Sequence, residues 1–321
     1  MWANHLRMTM PTNWDFASVG RFFHAPDDWN DPEKLLPEWM EKYIAPEIDR
    51  AGLYRTLSRR PPLWLRDQSG RTAAELAAAG VTAVAHSRRP EMLAVPDGRI
   101  NLYTLESFRR GDFEIQDAAS QLIGLVCAPS AGERWWDCCA GAGGKSLQLA
   151  SLMRRKGTVV ATDVRGYKLE DLRRRARRAG FPNIMTREWD GKKPRVKDQK
   201  KFDGVLVDAP CSCSGTFRRN PDGRWMLKEA EIAELAELQL SILDNASSGV
   251  KPGGVLIYAT CSMFKMENAD VVEKFLASSP DFVLEPFSNP VTGKTENGMV
   301  QANPEDADSD AMFACRMRRR G

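Results

Sequence analysis

The 321 residues are 42% hydrophobic and 28% charged, with a formal net charge of +3. That is the balance of a soluble globular chain long enough for one large core, or for a catalytic domain with a smaller companion. No apolar run approaches the roughly 18 residues of a membrane helix, and the opening MWANHLRMTMPTNWDF lacks the continuous apolar segment of a secretory signal. The seven cysteines have no regular spacing, which argues against a disulfide framework, places the chain in a reducing cytoplasm and leaves thiols free for chemistry.

Along the chain, the first part carries scattered tryptophans, a helical pattern from Pro37 to Leu57, and an Ala-rich helix from Thr72 to Ala79 that stops at Gly80. Met92 to Val95 reads as a short strand. The texture changes near residue 115, dividing the chain into an α+β part, 1–115, and a second part, 116–321. Beyond Arg134 strand-like and helix-like segments alternate: RWWDCCA, a helix from about Lys145, TVVATDV, a helix from about Tyr167, NIMTREW, FDGVLVDAP, a long helix from about Lys228, and GVLIYATCS. This alternation predicts a doubly wound α/β domain with a mostly parallel sheet, whose ligands collect at the carboxyl ends of the strands.

The basic residues are bunched, Arg173, Arg174, Arg175, Arg177 and Arg178 in one run and Lys192, Lys193, Arg195, Lys197, Lys200 and Lys201 in another. Each run reads equally as a solvated face; together they lean towards a polyanion such as nucleic acid.

The chemistry-bearing segments all fall at predicted strand ends. In WDCCAGAGGKS, Gly141, Gly143 and Gly144 open a helix and let backbone approach a ligand. A phosphate-binding P-loop would need glycine at position 139, which is Cys139, and the dinucleotide fingerprint would need glycine where Ser146 stands. A nucleoside cofactor without a pyrophosphate remains. Asp163, ending TVVATD, stands where such domains place the acid that accepts hydrogen bonds from ribose hydroxyls, although an Asp there also suits a helix cap. Asp190, after the next strand, is a candidate for the adenine side. DAPCSCSGTFRRNPD and YATCSMFKMEN then bring Asp208, Cys211 and Cys261 to adjacent strand ends, where two thiols can face one pocket. Cys127, Cys138 and Cys315 read as small buried residues. No metal is expected, because CC and CxC do not match the CxxC spacing of zinc knuckles.

These segments resemble the Sun/RsmB-type RNA cytosine-carbon-5 methyltransferases over residues 60 to 321, through FEIQDAASQ, CAGAGGKS, Asp163, Asp190, DAPCS followed by RRNPD, and ATCS followed by EN. The resemblance implies a Rossmann-like class I methyltransferase domain, S-adenosylmethionine as cofactor and RNA, first of all ribosomal RNA, as partner. It implies Cys261 as nucleophile and Cys211 as the thiol that helps release product, whereas DNA cytosine methyltransferases attack with the PC-type cysteine. Asp208 and Lys145 are implied to contact the target cytosine. Cys139, Ala140, Gly141, Ala142, Gly143, Gly144, Lys145, Asp163, Asp190 and Asp208 are implied to surround the cofactor. Ala142 stands where the family often has proline, Cys213 where it often has glycine, and Ala311-Met312 where its closing segment has Gly-Phe.

The chemistry needs such groups. Carbon 5 of cytosine is a poor nucleophile until a thiolate adds at carbon 6, and nearby positive charge, for which Lys145 is the candidate, lowers a thiol's pKa. Asp208, protonated or sharing a proton, suits the electron-rich edge of the ring. The base must leave its stack, and Arg218 and Arg219 are placed to grip flanking phosphates, with the Arg173–Arg178 helix extending the track. Methylation of transfer RNA or of DNA, and a non-catalytic RNA-binding assembly factor, are the competing readings. No obligate protein partner or membrane contact is expected.

Overall fold

A computed structural model of the chain describes residues 35–96, 101–194 and 200–321; the tryptophans before residue 35 and the expected basic residues Arg195 and Lys197 lie outside them. The region from Pro37 to Leu57 departs from the continuous helix expected of it, forming one 3-10 turn at Glu38–Met40 and helix α1 at Arg50–Leu57. Pro46 has no N–H to donate and disfavours helical backbone at Ala45. Asp49 then starts a new helix by accepting from the Gly52 N–H at 2.9 Å. The segment lies far from its neighbours in sequence: Ala45 N–H donates to the Met263 carbonyl at 2.8 Å, and Met40, Ile44, Ile48 and Leu53 share a buried cluster with Phe217 and Phe264.

A four-stranded antiparallel sheet follows, in the order β2-β3-β1-β4, from β1 (Leu63–Asp67), β2 (Val84–Ala85), β3 (Met92–Val95) and β4 (Phe113–Ile115). Strand alternation sends Leu65 and Phe113 to one face, where they meet Leu76 of α2 (Thr72–Ala78) and residues next to α3 (Glu106–Arg109). Trp64, Arg66 and Glu114 face the rest of the molecule. There Arg66 Nε donates to Gln116, Gln116 to Gln148 at 2.8 Å, and Gln148 to the Gln121 carbonyl at 2.7 Å. This buried chain of amides ties the small sheet to α4 (Ala118–Cys127) and α5 (Gly144–Leu152).

The large sheet has eight strands: β10-β14-β9-β8-β5-β6-β7 in order, with β13 (Met299–Gln301) paired to β14. The strands β5 (Arg134–Asp137), β6 (Thr158–Asp163), β7 (Ile184–Glu188), β8 (Phe202–Asp208) and β9 (Val250–Thr260) are parallel. β10 (Phe282–Leu284) and β14 (Phe313–Arg319) complete it antiparallel. The central strands are apolar on both faces, as helices on both sides require. One cluster, with Trp135, Leu206 and Ile257, packs under α4, α5 and α6 (Gly166–Ala179). The other, with Trp136, Val207 and Tyr258, packs under α8 (Glu229–Ser247) and α9 (Ala269–Ser278), which follow the short α7 (Gly223–Met226). A short hairpin of β11 (Phe287–Ser288) and β12 (Thr295–Glu296) lies before β13. Among the described residues no helix is long and apolar enough to cross a membrane.

The strand order reverses at β5, between β6 and β8, and a ligand crevice belongs at the carboxyl ends of those strands. Gly141, Asp163, Asp208 and Cys261 all lie there.

Candidate active site

The turn after β5 extends the parallel ladder before leaving it, since Cys138 N–H donates to the Leu206 carbonyl and Ala140 N–H to that of Thr162. Cys139 and Ala140 are half-buried beneath the crevice. Gly143, at φ +89°, is the N-cap of α5, and a Cβ there would lie 2.4 Å from Leu172 Cγ. Its glycine therefore serves the turn and packing against α6 rather than a ligand. Around Gly141 and Gly144, by contrast, an added Cβ meets nothing within 4 Å, so the turn presents bare backbone to open space. Ala142 carries the carbonyl that accepts from Arg175 at 2.8 Å.

Asp163, at the end of β6, accepts from the Gly141 N–H at 2.9 Å and from the backbone and side chain of Arg165. Burial pushes its pKa up, but those hydrogen bonds outweigh burial and hold it below the usual carboxylate value. It is not the N-cap of α6, a place taken by Arg165. Beyond it a cleft of about 640 Å³ runs past Val164, Glu188, Trp189 and Asp190. Asp190 sits at its exposed rim, held by the Lys192 N–H at 3.1 Å and by the Lys192 ammonium. Bare backbone at Gly141 and Gly144, an ionised acid at Asp163 and an open cleft beside Asp190 fit a nucleoside cofactor without a pyrophosphate.

Lys145, in the first turn of α5, reaches across to Asp208 at the end of β8, Nζ to Oδ2 2.6 Å. Burial works against the ammonium, but the Asp208 charge and hydrogen bond outweigh it and raise the lysine pKa. Asp137, one strand over, is fully buried, with Oδ2 accepting from Ser146 at 2.6 Å and Oδ1 meeting no protein donor. Burial, with a contribution from Asp208, lifts its pKa to about 7.

Cys211 and Cys261 bring their sulfurs to 3.3 Å. Cys213, on left-handed backbone at φ +57°, completes a group of three thiols whose sulfurs all lie within 4.8 Å of one another. Hydrogen bonds from Cys211 and Cys261 hold Cys213 low. Cys261 is drawn down by Cys211, but the bond to Cys213, burial and Asp208 together hold it well above an ordinary thiol. Lys145, whose ammonium Asp208 meets directly, also lies within electrostatic reach of Cys261.

The two cysteine loops are locked by a residue to which sequence reasoning gave no role. Glu267, fully buried, accepts from the Ser212 N–H at 2.8 Å, from the Ser212 and Ser262 hydroxyls at 2.5 Å each, and from Gln239 at 2.8 Å. Asn268 donates to the Ser262 carbonyl and accepts from Thr260. The signal was present in the serines interleaved through CSCS and CS, which mark hydroxyl partners for a buried acid.

Most of the arginines expected along an RNA track also have acidic or carbonyl partners within the protein, while Arg174 and Arg177 are exposed. Arg218 donates to the carbonyls of Arg59 and Arg60 and to Asp308, and Arg219 pairs with Asp117 and Asp310. On α6, Arg173 pairs with Glu170, Arg174 with Asp171, and Arg175 and Arg178 with the buried Glu114. Spacing reveals Glu170 and Asp171, one turn before their partners, but not Glu114, Asp117, Asp308 and Asp310, which the fold brings in. Cys127, Cys138 and Cys315 are buried, as read from the sequence.

The chain has the class I methyltransferase fold. Its architecture matches NSun6 from Pyrococcus horikoshii with SFG at a TM-score of 0.76 and 18% identity, covering 89% of this chain and 98% of that one. The crystal structure of PH0851 matches at 0.83 and 31% identity, covering 94% and 73%. The family model for the 16S rRNA methyltransferase RsmB/F matches residues 124–318, and the chain belongs to that S-adenosylmethionine-dependent family. It is 32% identical over 301 residues to the probable ribosomal RNA small subunit methyltransferase B of Bacillus subtilis, covering 90% of this chain and 66% of that protein. To the ribosomal RNA small subunit methyltransferase B of Sodalis glossinidius it is 36% identical over 304 residues, covering 91% and 68%. The chain thus spans about two thirds of the length of these relatives.

Proposed function

We propose that the chain methylates carbon 5 of a cytosine in RNA, with small-subunit ribosomal RNA, named for its relatives, as the substrate class. The observation that carries this reading is the pair of sulfurs, Cys211 and Cys261, 3.3 Å apart beside the Lys145–Asp208 ion pair. When bound, S-adenosylmethionine supplies an electrophilic methyl group next to the exposed backbone of residues 139–145, with Asp163 taking the ribose and Asp190 bordering the adenine side.

In this reading Cys261 loses its proton within the complex and adds to carbon 6 of the flipped base, making carbon 5 nucleophilic. Lys145 and Asp208 hold the nitrogen and carbonyl edge where negative charge develops, and the Lys145 ammonium that donates to Asp208 is the resident source of the proton expected there. Once carbon 5 carries the methyl, a base takes its proton, the carbon–hydrogen electron pair restores the carbon 5–carbon 6 double bond, and the sulfur–carbon 6 pair leaves on Cys261 as thiolate. Cys211, in contact with that sulfur, assists the release. A division at residue 115/116, with the first part holding RNA, belongs to the same reading.

The test is methyl transfer from labelled S-adenosylmethionine to ribosomal RNA, with bisulfite mapping of the product. Wild type is expected to label a cytosine, Cys261→Ala to lose transfer by three orders of magnitude or more, and Cys211→Ala to accumulate protein bound to RNA. Persistent cytosine methylation by Cys261→Ala would overturn the nucleophile assignment, and an inactive wild type the enzymatic reading.

A further inference from the structure

The chemistry just proposed uses two thiols, yet the structure gathers three. Cys213 stands where the family often has glycine, in left-handed backbone at φ +57°, a conformation that L-residues disfavour. Its sulfur nevertheless lies with those of Cys211 and Cys261, all within 4.8 Å of one another. A tetrahedral metal with sulfur at about 2.3 Å holds its sulfurs roughly 3.8 Å apart, so closing the trio around an ion takes shifts of no more than about 1 Å. The geometry points to a three-thiolate site for a soft divalent cation, zinc or cadmium, formed by Cys211, Cys213 and Cys261 with a fourth position open to water.

The surroundings suit it. Cys213 is exposed and the other two are half-buried, which gives an ion a way in from solvent. The loops are already fixed, Ser212 and Ser262 by Glu267 and the Cys261 carbonyl by the Gly215 N–H at 3.0 Å, so little backbone ordering is left for the ion to impose. On coordination each sulfur that still carries a proton releases it to solvent, and nothing is oxidised or reduced. CxC spacing alone gives no sign of the site because its third ligand comes from the neighbouring strand, 48 residues after Cys213 in the sequence. A bound ion occupies the sulfur that the proposed reaction uses as nucleophile. Reversible inhibition by soft metals follows, and this consequence alone rests on the proposed function.

The experiment is cadmium titration of the reduced full chain, followed by the thiolate-to-cadmium ultraviolet band and by equilibrium dialysis. The same titration is run on Cys213→Gly, whose glycine suits the left-handed backbone. One cadmium per wild-type chain is expected, with at least tenfold weaker binding to Cys213→Gly. Zinc should compete with cadmium in the wild type. Methyl transfer should be inhibited by either ion and restored by a chelator in the wild type, while Cys213→Gly stays active and resists inhibition. Unchanged affinity and stoichiometry in Cys213→Gly would overturn the site. Cys213-dependent binding in a protein inactive on RNA without metal would uphold the site while the proposed function failed.

Discussion

Asp137 shows how a single buried group sets a pH dependence. Its carboxyl is fully enclosed, has one protein hydrogen bond, and is pushed up to about 7, whereas an unfolded chain holds Asp near 3.9. Between about pH 4 and pH 7 the folded state therefore binds a proton that the unfolded state does not, and stability falls as pH rises through that window. Asp310, lifted by burial and by Asp117 to about 6, adds to the same trend. Asp137→Asn should reduce the loss of unfolding free energy between pH 5 and pH 8 by a few kcal/mol, leaving the part due to Asp310, as read by urea denaturation at each pH. An unchanged slope would mean that Asp137 is ionised throughout. The candidate groups named from motifs, Lys145, Asp208, Cys211 and Cys261, do converge in space. Asp137 was not legible as a titrating group, because nothing in RWWD states that the strand end is closed from every side.

At the scale of elements, the site is held by close approach between β9, the turn after Cys213 and the start of β14. Gly215 donates to the Cys261 carbonyl and accepts from the Ala311 N–H, both at 3.0 Å. A Cβ on Gly215 would lie 1.8 Å from the Ala311 oxygen. Gly215→Ala must part these segments, so a loss of roughly 1–3 kcal/mol is expected, with a lower melting temperature and a kcat that falls more than KM rises. Wild-type stability in this variant would show that the segments are free to separate. The parallel strands were legible because their apolar runs are short and bounded by turn residues, and α8 because nineteen residues hold a helical pattern. The helix expected across Pro37–Leu57 was not, because Pro46 and the Asp49 cap override its periodicity. Ala311 and Met312, which depart from the family pattern, are buried at this contact, a packing role that no local pattern declares.

For the whole molecule, the joint between the two sheets is electrostatic as well as apolar. Glu114, 2% exposed, pairs with Arg175 and Arg178 and lies across the strand pair from Arg66, whose pKa burial lowers to about 10. Arg175 also holds the Ala142 carbonyl of the turn proposed to meet the cofactor, so this joint reaches the candidate site. Glu114→Gln leaves three guanidinium groups facing a neutral side chain and should cost about 3 kcal/mol, with an accompanying rise in KM for S-adenosylmethionine. Intact thermal stability would show that the arginines find other partners. The basic run was legible as charge, but the partner of Arg175 and Arg178 was not, since Glu114 comes from about 60 residues away.

In the proposed reaction Cys261 forms the bond to the base and Cys211 helps break it. The most direct measurement is peptide mapping by mass spectrometry of RNA-bound protein from Cys211→Ala incubated with ribosomal RNA and S-adenosylmethionine. A nucleotide-modified peptide carrying Cys261 is the expected result. Modification of Cys139 or Cys213 instead, or the absence of any covalent RNA while methylation proceeds, would contradict it.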